Sequence, residues 1–276
     1  MHRNFYLFLY DLLWITGFIL VMGLSFIPIA LLTSLIVGKF STLTIIFSIP
    51  LLFYIFLNLY ILICGSLFRL TVPRLKEGSY RTNSRQFIIW RVNWHFYSYV
   101  FLFFRRYLFY NRTIRFLFLR LMRVNLRYST YMAEMIDLQD ANNLITIGSN
   151  SGLGSEALLA THLNMGNDVM IFRRVTIGDN VMVSARACIA PGATIGHNVF
   201  IGFNTMLSLN VSIGEDTRIG ANAVIGSNVK IGSNCRIGPH SVIKDNAVIP
   251  DGTVVPDFGR VTDTDTATEE HQAATS

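Results

Sequence analysis

The sequence predicts an α-helical membrane segment followed by a parallel β-solenoid, and three observations support this fold class. Between Leu12 and Phe68 the only charged residue is Lys39. From Ile147 to Val254 an aliphatic residue recurs at every sixth position, and nearly every fifth position of the repeat is small or β-branched. Only 14% of all residues are charged, against 51% that are hydrophobic, which argues against an ordinary soluble domain.

The apolar stretch near the start of the chain is long enough for two membrane spans. A spanning helix needs about 20 apolar residues, so we predict spans at roughly residues 12–37 and 42–66, with Gly38 and Lys39 at the turn. Residues 1–68 are therefore expected to form a transmembrane hairpin, an uncleaved anchor rather than a signal peptide. The alternative is a pair of buried helices in a soluble core.

Residues 69–127 hold thirteen lysines and arginines and one acid, Glu77. By the positive-inside rule, this excess predicts a multi-pass protein of the plasma (inner) membrane, with both termini and the solenoid in the cytoplasm. Residues 86–123 interleave aromatic residues with arginines, which predicts interfacial helices that contact membrane lipids. Nucleic-acid binding is the competing interpretation of such a segment. Because the segment follows two predicted spans, we expect no nucleic-acid partner.

The six-residue period predicts a β-solenoid over residues 147–255. Each short strand ends at a corner, with the large aliphatic residue inside and Gly or Asn adopting the left-handed backbone of the corner. Eighteen residues per triangular coil give about six coils, uninterrupted by any long loop. Residues 128–146 are expected to form an irregular cap, and the polar, acidic tail at 256–276 is expected to be disordered.

The hexapeptides resemble those of the left-handed β-helix (hexapeptide-repeat) acyltransferases. A narrower likeness covers nearly the whole chain and is carried by RLTVPRLKEGSY (69–80), EMIDLQ (134–139), LITIG (144–148), THL (161–163), VM (169–170) and VTIG (175–178). These segments are similar to the membrane-associated branch that includes the C-terminal repeat domains of poly-lysine synthetase-like peptide synthetases. The resemblance implies left-handed coils, a homotrimer, and acetyl-CoA or another acyl thioester bound in clefts between subunits.

The histidine of the THL segment corresponds to His162, which we expect to be the catalytic base. Acyl transfer needs a base that takes the proton from the attacking hydroxyl or amine, and a neutral imidazole is suited to this task. If the period is unbroken, residues 18 apart stack, so that His162 lies over Asn180 and Asp179 lies between His162 and His197 in height. Asp179 is then expected to orient the imidazole. The alternative is that His162 is a solvated corner residue.

Other polar residues of the repeat are candidates for substrate binding. His197 occupies the third position of its hexapeptide, where some lipid-A-type acyltransferases of the superfamily carry their base. The alternative is that His197 is a surface corner residue. With Asn180 and Glu215 it is expected to line an acceptor pocket. The candidates for contact with the phosphates of CoA are Arg218, Lys230 and Arg236. We expect no metal site, and the odd number of three cysteines argues against a disulfide framework.

The predicted function is that of a membrane-anchored acyltransferase, most simply an acetyl-CoA-dependent O- or N-acetyltransferase. Its acceptor would be a small molecule, a lipid-linked precursor or a surface-polymer precursor at the cytoplasmic face. Three alternatives remain: a non-catalytic scaffold or partner of a synthase, a γ-carbonic-anhydrase-like zinc enzyme, and a transferase that uses long-chain acyl carrier protein. The zinc enzyme would require three convergent histidines.

Overall fold

The computed structural model describes residues 16, 19, 23, 25–35, 37, 39, 41–139 and 142–262, without the side chains of residues 45, 99, 101–103 and 105. Eleven of the 26 residues of the first predicted span lie outside the described residues, and the predicted disordered tail lies outside them from residue 263 onward. The described residues form two compact units. The helical unit contains those up to Val72 together with His95–Met122, and the solenoid unit contains Pro73–Trp94 together with those from Arg123 onward.

Within the described part of the chain, four helices precede the solenoid: α1 (Ser25–Leu35), α2 (Thr42–Thr71), α3 (Arg85–Tyr110) and α4 (Arg112–Leu121). Ser41 caps α2, where its hydroxyl accepts a hydrogen bond from the N–H of Thr44. Among the described residues, α2 is the one helix that is long and apolar enough to cross a membrane. The second predicted span therefore has a helix of the required length and composition, whereas the two-helix hairpin is not confirmed.

Helix α3 begins in the solenoid unit and continues in the helical unit from His95 onward. Its backbone departs from helical geometry at Phe104, where φ is −117° and ψ is 17°. Within the helical unit, Phe96 packs against Phe68 with ring centroids 5.8 Å apart, and Phe104 packs against Tyr60 at 5.4 Å. The second part of α3 therefore runs alongside α2 in the opposite direction.

The strands are short and follow one another at nearly regular intervals. In chain order they are β1 (Gly78–Arg81), β2 (Asn125–Leu126), β3 (Tyr131–Met132), β4 (Ile145–Ile147), β5 (Gly152–Leu153), β6 (Leu158–Leu159), β7 (His162–Asn164), β8 (Val169–Phe172), β9 (Val175–Ile177), β10 (Met182–Val183), β11 (Cys188–Ile189), β12 (Thr194–Ile195), β13 (Phe200–Ile201), β14 (Met206–Leu207), β15 (Ser212–Ile213), β16 (Arg218–Ile219), β17 (Val224–Ile225), β18 (Lys230–Ile231), β19 (Arg236–Ile237), β20 (Val242–Ile243), β21 (Val248–Ile249), β22 (Val254–Val255) and β23 (Arg260–Val261).

Three parallel sheets form the walls of the solenoid. Sheet I contains β2, β4, β9, β12, β15, β18 and β21, sheet II contains β3, β5, β10, β13, β16, β19 and β22, and sheet III contains β6, β11, β14, β17, β20 and β23. The sheets thus hold seven, seven and six strands, so the solenoid is longer than the six coils expected. Its strands begin at Asn125 and end at Val261, so the segment assigned to a cap contributes β3 and most of β4. The expectation of a disordered tail from residue 256 is wrong at β23, which pairs with β20 in sheet III.

The solenoid interior is filled as the period predicts. Outside residues 162–172 the aliphatic first positions are buried, and so are small fifth positions such as Ala187, Thr205 and Ala223. The fourth positions, at the corners, adopt positive φ values, for example 57° at Asn180 and 58° at Asn198. Asparagine tolerates this conformation better than most residues. These side chains also stack, with Nδ2 of Asn180 donating to Oδ1 of Asn198 at 3.1 Å.

The glycines at the second positions serve a different purpose from the one expected. Outside residues 162–172, none of the second-position glycines of the described residues has a positive φ. At Gly178 a Cβ atom would lie 2.7 Å from the carbonyl oxygen of Gly196, on the next coil. These glycines are therefore required by the close approach of successive coils, while the left-handed backbone belongs to the fourth positions.

Candidate functional site

The chain leaves the solenoid between Thr161 and Arg173, at the corner between sheets III and I. Strands β7 and β8 form an antiparallel hairpin there, with His162 opposite Phe172; we call residues 162–172 the insert hairpin. Ser149 contacts Asp179 on the next coil, 30 positions later in the sequence, whereas contacting residues of later coils, such as Asn180 and Asn198, are 18 positions apart. The expectation of a solenoid without a long loop is therefore wrong at this corner.

The base of the insert hairpin is fixed by a buried polar contact. Thr161 is fully buried, and its Oγ1 accepts a hydrogen bond from Nδ2 of Asn142 at 2.8 Å. Oδ1 of Asn142 accepts the N–H of Leu144 at 2.7 Å, so the amide also holds its own strand. The N–H of Arg173 donates to the carbonyl of Thr161 at 2.9 Å and closes the hairpin. The threonine of the THL segment thus has a structural role.

The tip of the insert hairpin is a turn with three consecutive left-handed residues. Gly166, Asn167 and Asp168 have φ values of 76°, 47° and 58°. The N–H of Thr82 donates to the carbonyl of Asp168 at 2.9 Å, and the Thr82 hydroxyl donates to Oδ1 of the same residue at 3.2 Å. The tip is therefore attached to a segment that lies far earlier in the chain.

That segment, residues 73–94, is called here the linking segment. Its strand β1 pairs antiparallel with β8, which gives a three-stranded sheet in the order β1, β8, β7. Glu77 accepts the backbone N–H of Arg174 at 3.1 Å and pairs with its Nε at 3.3 Å. Leu75 exchanges two hydrogen bonds with the side chain of Asn143, at 2.8 and 2.9 Å. The linking segment therefore closes one edge of the insert hairpin.

His162 lies at the start of β7, under the first turns of α3. Its imidazole is half-buried, with its ring centroid 4.7 Å from that of Trp90 and the two planes tilted by 51°. Trp90 also contacts Phe87 at 5.3 Å and the buried Phe172 at 6.1 Å. Nδ1 of His162 is buried. The imidazole is thus held on one face by an aromatic cluster instead of standing on an open edge of the solenoid.

Asp179 does not lie beside His162. It lies at the corner between sheets I and II, where its Oδ1 accepts the N–H of Ser149 at 2.5 Å. The expectation that His162 stacks on Asn180 and is oriented by Asp179 is therefore wrong in its geometry. The reason is the insert hairpin, which adds about twelve residues and moves His162 to a different corner from the one that the unbroken period predicts.

His197, in contrast, does follow Asp179 in the same column, 18 residues later. The backbone N–H of Asp179 donates to Nδ1 of His197 at 2.9 Å, and its Oδ2 lies 3.5 Å from the same nitrogen. Both side chains are about half exposed, at 50% for His197 and 48% for Asp179. An Nδ1 that accepts a hydrogen bond leaves the proton of a neutral imidazole on Nε2. In this arrangement the exposed nitrogen of His197 is a donor.

The other residues expected in the acceptor pocket share the corner of His197. Asn180 and Asn198 are exposed and linked by their side-chain amides. Glu215 is exposed on the next coil, where its N–H donates to Oγ of Ser233 at 3.1 Å. The structure therefore brings Asp179, Asn180, His197 and Glu215 together at one corner, and it separates them from the corner of His162.

The three basic residues expected to bind CoA lie on two faces. Arg218 and Arg236 are in register on neighbouring strands of sheet II, and both are exposed. Lys230 is exposed on sheet I, between Ser212 and Val248. Among the described residues, no carboxylate lies within 4.0 Å of any of these three cations.

The described residues contain no group of three or more His, Cys, Asp or Glu that could hold a metal ion. The three cysteines are free thiols. Cys188 faces outward from sheet III between Leu158 and Met206, and partial burial raises the pKa of its thiol. This thiol is therefore less ionised than an ordinary one at neutral pH, which argues against a nucleophilic role.

Comparisons with known proteins match the repeat region. A family model described as bacterial transferase hexapeptide (six repeats) matches residues 174–208 and 210–245. A search of curated proteins found no match.

Three solved structures are among those that match parts of this chain. A UDP-N-acetylglucosamine acyltransferase from Campylobacter jejuni is 25% identical, with 40% of this chain and 39% of that chain covered and a TM-score of 0.29. A mutant perosamine N-acetyltransferase from Caulobacter crescentus in complex with CoA and GDP-perosamine is 15% identical, with coverages of 55% and 58% and a TM-score of 0.31. The acetyltransferase domain of PglB from Neisseria gonorrhoeae in complex with acetyl coenzyme A is 20% identical, with coverages of 53% and 62% and a TM-score of 0.30.

The chain spans less than two thirds of the length of each of these three structures. The narrower likeness to the poly-lysine synthetase-like branch has no counterpart among these findings. What the comparisons show is that residues 174–208 and 210–245 are similar to the bacterial transferase hexapeptide repeats.

Proposed function

We propose that this chain is a membrane-associated acyltransferase, which transfers an acyl group to a hydroxyl or amine of a lipid-linked or surface-polymer precursor. The simplest donor is acetyl-CoA. The observation that carries the proposal is the position of His162, a half-buried imidazole at the base of a hairpin that leaves a hexapeptide-repeat solenoid. Contact with Trp90 restricts the orientation of the ring, and a general base must be held in a fixed geometry.

His162 would act as the general base. It would take the proton of the acceptor hydroxyl or amine while the oxygen or nitrogen attacks the thioester carbonyl carbon. Backbone N–H groups near the corner would stabilise the oxyanion of the tetrahedral intermediate. When the carbon–sulfur bond breaks, the imidazolium would return the proton to the departing thiolate. Acetyl-CoA supplies the activated acyl group as a thioester.

Arg218 and Arg236 are the proposed contacts for the phosphates of the donor. Like charges directly opposite each other on neighbouring strands destabilise a sheet. A bound anion would relieve this repulsion, and no described carboxylate lies within 4.0 Å of either guanidinium. Lys230 is proposed as a further contact from sheet I.

His197 is the second candidate for the base of the same reaction. Its half-exposed ring lies beside Asp179, which supports such a role. Catalysis at Nε2 would require the proton to move to Nδ1 and face the carboxylate, now 3.5 Å away. Otherwise His197, together with Asn180 and Glu215, would line the acceptor pocket.

A homotrimer is proposed on the basis of the resemblance, and an exposed apolar corner supports self-association. Met182, Phe200, Phe203 and Met206 are between 37% and 48% exposed at the corner between sheets II and III. Such apolar patches are often covered by another subunit. Analytical ultracentrifugation of the detergent-solubilised chain measures the number of subunits in the oligomer. Phe203→Asp is expected to shift the chain from trimer towards monomer.

The membrane is the proposed location, with the solenoid on the cytoplasmic side. Helix α2 has the length and composition of a span, and the basic residues that follow it favour the cytoplasmic face. Membrane lipids are thus proposed as partners. Attachment to a membrane would bring the enzyme to a lipid-linked acceptor.

The full chain in nanodiscs, incubated with radiolabelled acetyl-CoA and membrane lipid extracts, tests the proposal. We expect labelled lipid-linked product and calorimetric binding of CoA, with weaker binding for Arg218→Ala. The Lys244→Ala variant, which removes an exposed cation elsewhere, is the control. If the chain neither binds CoA nor forms product with any acyl thioester, a non-catalytic scaffold is favoured. Stoichiometric zinc in the purified protein would favour the zinc enzyme.

A further inference from the structure

Helix α2 changes character halfway along its length. In its first half the apolar side chains point outward, and Leu43, Phe47 and Leu51 are 67%, 79% and 61% exposed. In its second half Tyr60 and Ile61 are completely buried. Among the described residues, the ring contacts and hydrogen bonds of α3 and α4 with α2 lie at Tyr54 and beyond, so the helical unit has an apolar end and an end that is enclosed by protein.

Four polar side chains lie at the transition; we call them the amide–phenol cluster. The hydroxyl of Tyr107 donates to Oδ1 of Asn58 at 2.8 Å. Nδ2 of Asn111 donates to the hydroxyls of Tyr107 and Tyr54, at 3.1 and 3.2 Å. The cluster thus joins the middle of α2 to the turn between α3 and α4. Tyrosine is enriched where hydrocarbon meets water.

Helix α4 runs along the second half of α2 from this cluster onward. At its far end, the carbonyl of Arg120 accepts a hydrogen bond from Nη1 of Arg69 at 3.1 Å. The outer side of α4 exposes Arg112, Thr113 and Arg120. An arginine within hydrocarbon costs at least about 2.5–3.5 kcal/mol, whereas at headgroup level it meets lipid phosphates.

We infer that the hydrocarbon of the membrane ends at the amide–phenol cluster. Helix α1 and the first half of α2 lie in hydrocarbon, and the turn between α3 and α4 lies among the phospholipid headgroups. The second half of α2 lies outside the hydrocarbon. The inference rests on the proposed membrane attachment. The embedded part, residues 42–57, is roughly 24 Å long at 1.5 Å per residue, just short of the about 17 residues that mark the lower limit of a span.

Spin labels on the full chain in phospholipid nanodiscs test this boundary. The background is Cys188→Ala, because the other two cysteines are buried. Single labels are placed at Phe47→Cys, on exposed α2, and at Leu117→Cys, which is 40% exposed on α4. We expect the Phe47 label to be more accessible to oxygen than to a water-soluble nickel complex, and the Leu117 label to show the reverse. Circular dichroism of each labelled variant checks that its helices are intact.

Three other outcomes would overturn the inference. If both labels favour oxygen, α4 lies in hydrocarbon, and the boundary is wrong while the membrane attachment stands. If both labels favour the nickel complex, neither helix is embedded, and the attachment itself fails. A reversed pattern would mean that the hydrocarbon covers α4 instead of the first half of α2.

Discussion

The imidazole of His162 and the indole of Trp90 lie with ring centroids 4.7 Å apart. This contact joins the insert hairpin to the first part of α3 within the solenoid unit. Trp90 covers one side of the imidazole, and Nδ1 is buried. Proton transfer by His162 would therefore have to occur at the opposite edge of the ring.

Replacement of His162 by asparagine is expected to lower kcat by a factor of about 10²–10⁴. Asparagine keeps a polar side chain of similar size but cannot take up the proton. The KM for the acyl donor should change little, because the proposed donor contacts lie elsewhere. Initial rates with saturating acceptor measure the effect. His240→Asn, at an exposed corner where His240 stacks on Phe258, is the matched control.

A wild-type kcat in His162→Asn would remove this residue as the base. The same measurement on His197→Asn then decides whether His197 takes the role. A loss of kcat in His197→Asn but not in His162→Asn would assign the active site to the corner that holds Asp179 and His197.

Trp90 is expected to act as a positioning residue for His162. Trp90→Ala should lower kcat more than it changes KM, because the imidazole loses the surface that orients it. Trp90→Phe keeps an aromatic face against the imidazole and should therefore restore most of the kcat that Trp90→Ala loses. Trp94→Ala, at a position that is 42% exposed, is the control. Equal kinetics for Trp90→Ala and Trp94→Ala would contradict the positioning role.

The parallel sheets could be predicted from the sequence because each coil repeats the same local constraints. An aliphatic residue fills the interior, a small residue fits beside it, and asparagine accepts the positive φ of the corner. Such constraints need no knowledge of distant residues. The expected length was too short because the first strands, around Asn125 and Tyr131, lack the repeat pattern but still pair with later coils.

The insert hairpin was missed because its extra length is about twelve residues, twice the period. Met165 and Ile171 therefore fall on first positions, and the count continues as if the solenoid were unbroken. Two local signals were available. Leu163 is too large for an inward fifth position, and the run Gly166–Asp168 favours a turn.

The cover over His162 could not be predicted from the sequence at all. The ion pair of Glu77 with Arg174 and the contact of Trp90 with His162 join residues far apart in the chain. No local period encodes such contacts. The predicted contact of Asp179 with His162 was wrong because it assumed an unbroken 18-residue period, which the insert hairpin interrupts.

Gly178→Ala is expected to destabilise the solenoid by more than about 2 kcal/mol, because the new Cβ would meet backbone that cannot move away. Gly252→Ala is the matched control. Gly252 has a φ of 72° but open space around it, so alanine there costs only about 1 kcal/mol of backbone strain. Urea unfolding followed by circular dichroism measures both. Equal midpoints would show that close approach of the coils is not what requires glycine at the second position.

The thiol of Cys188 is expected to alkylate more slowly at pH 8 than a free cysteine, because partial burial raises its pKa and the thiolate is the reactive form. Mass spectrometry after iodoacetamide treatment measures the rate, and Cys188→Ala is the control, since Cys64 and Cys235 are only 3% and 2% exposed. A rate equal to that of free cysteine would contradict the raised pKa.

The raised pKa of Cys188 also has a consequence for the stability of the folded chain. A group whose pKa is higher in the folded chain stabilises it fully below the unfolded pKa, and this contribution is lost as the pH rises through the folded pKa. The midpoint of urea unfolding should therefore fall at alkaline pH less steeply in Cys188→Ala than in the parent chain.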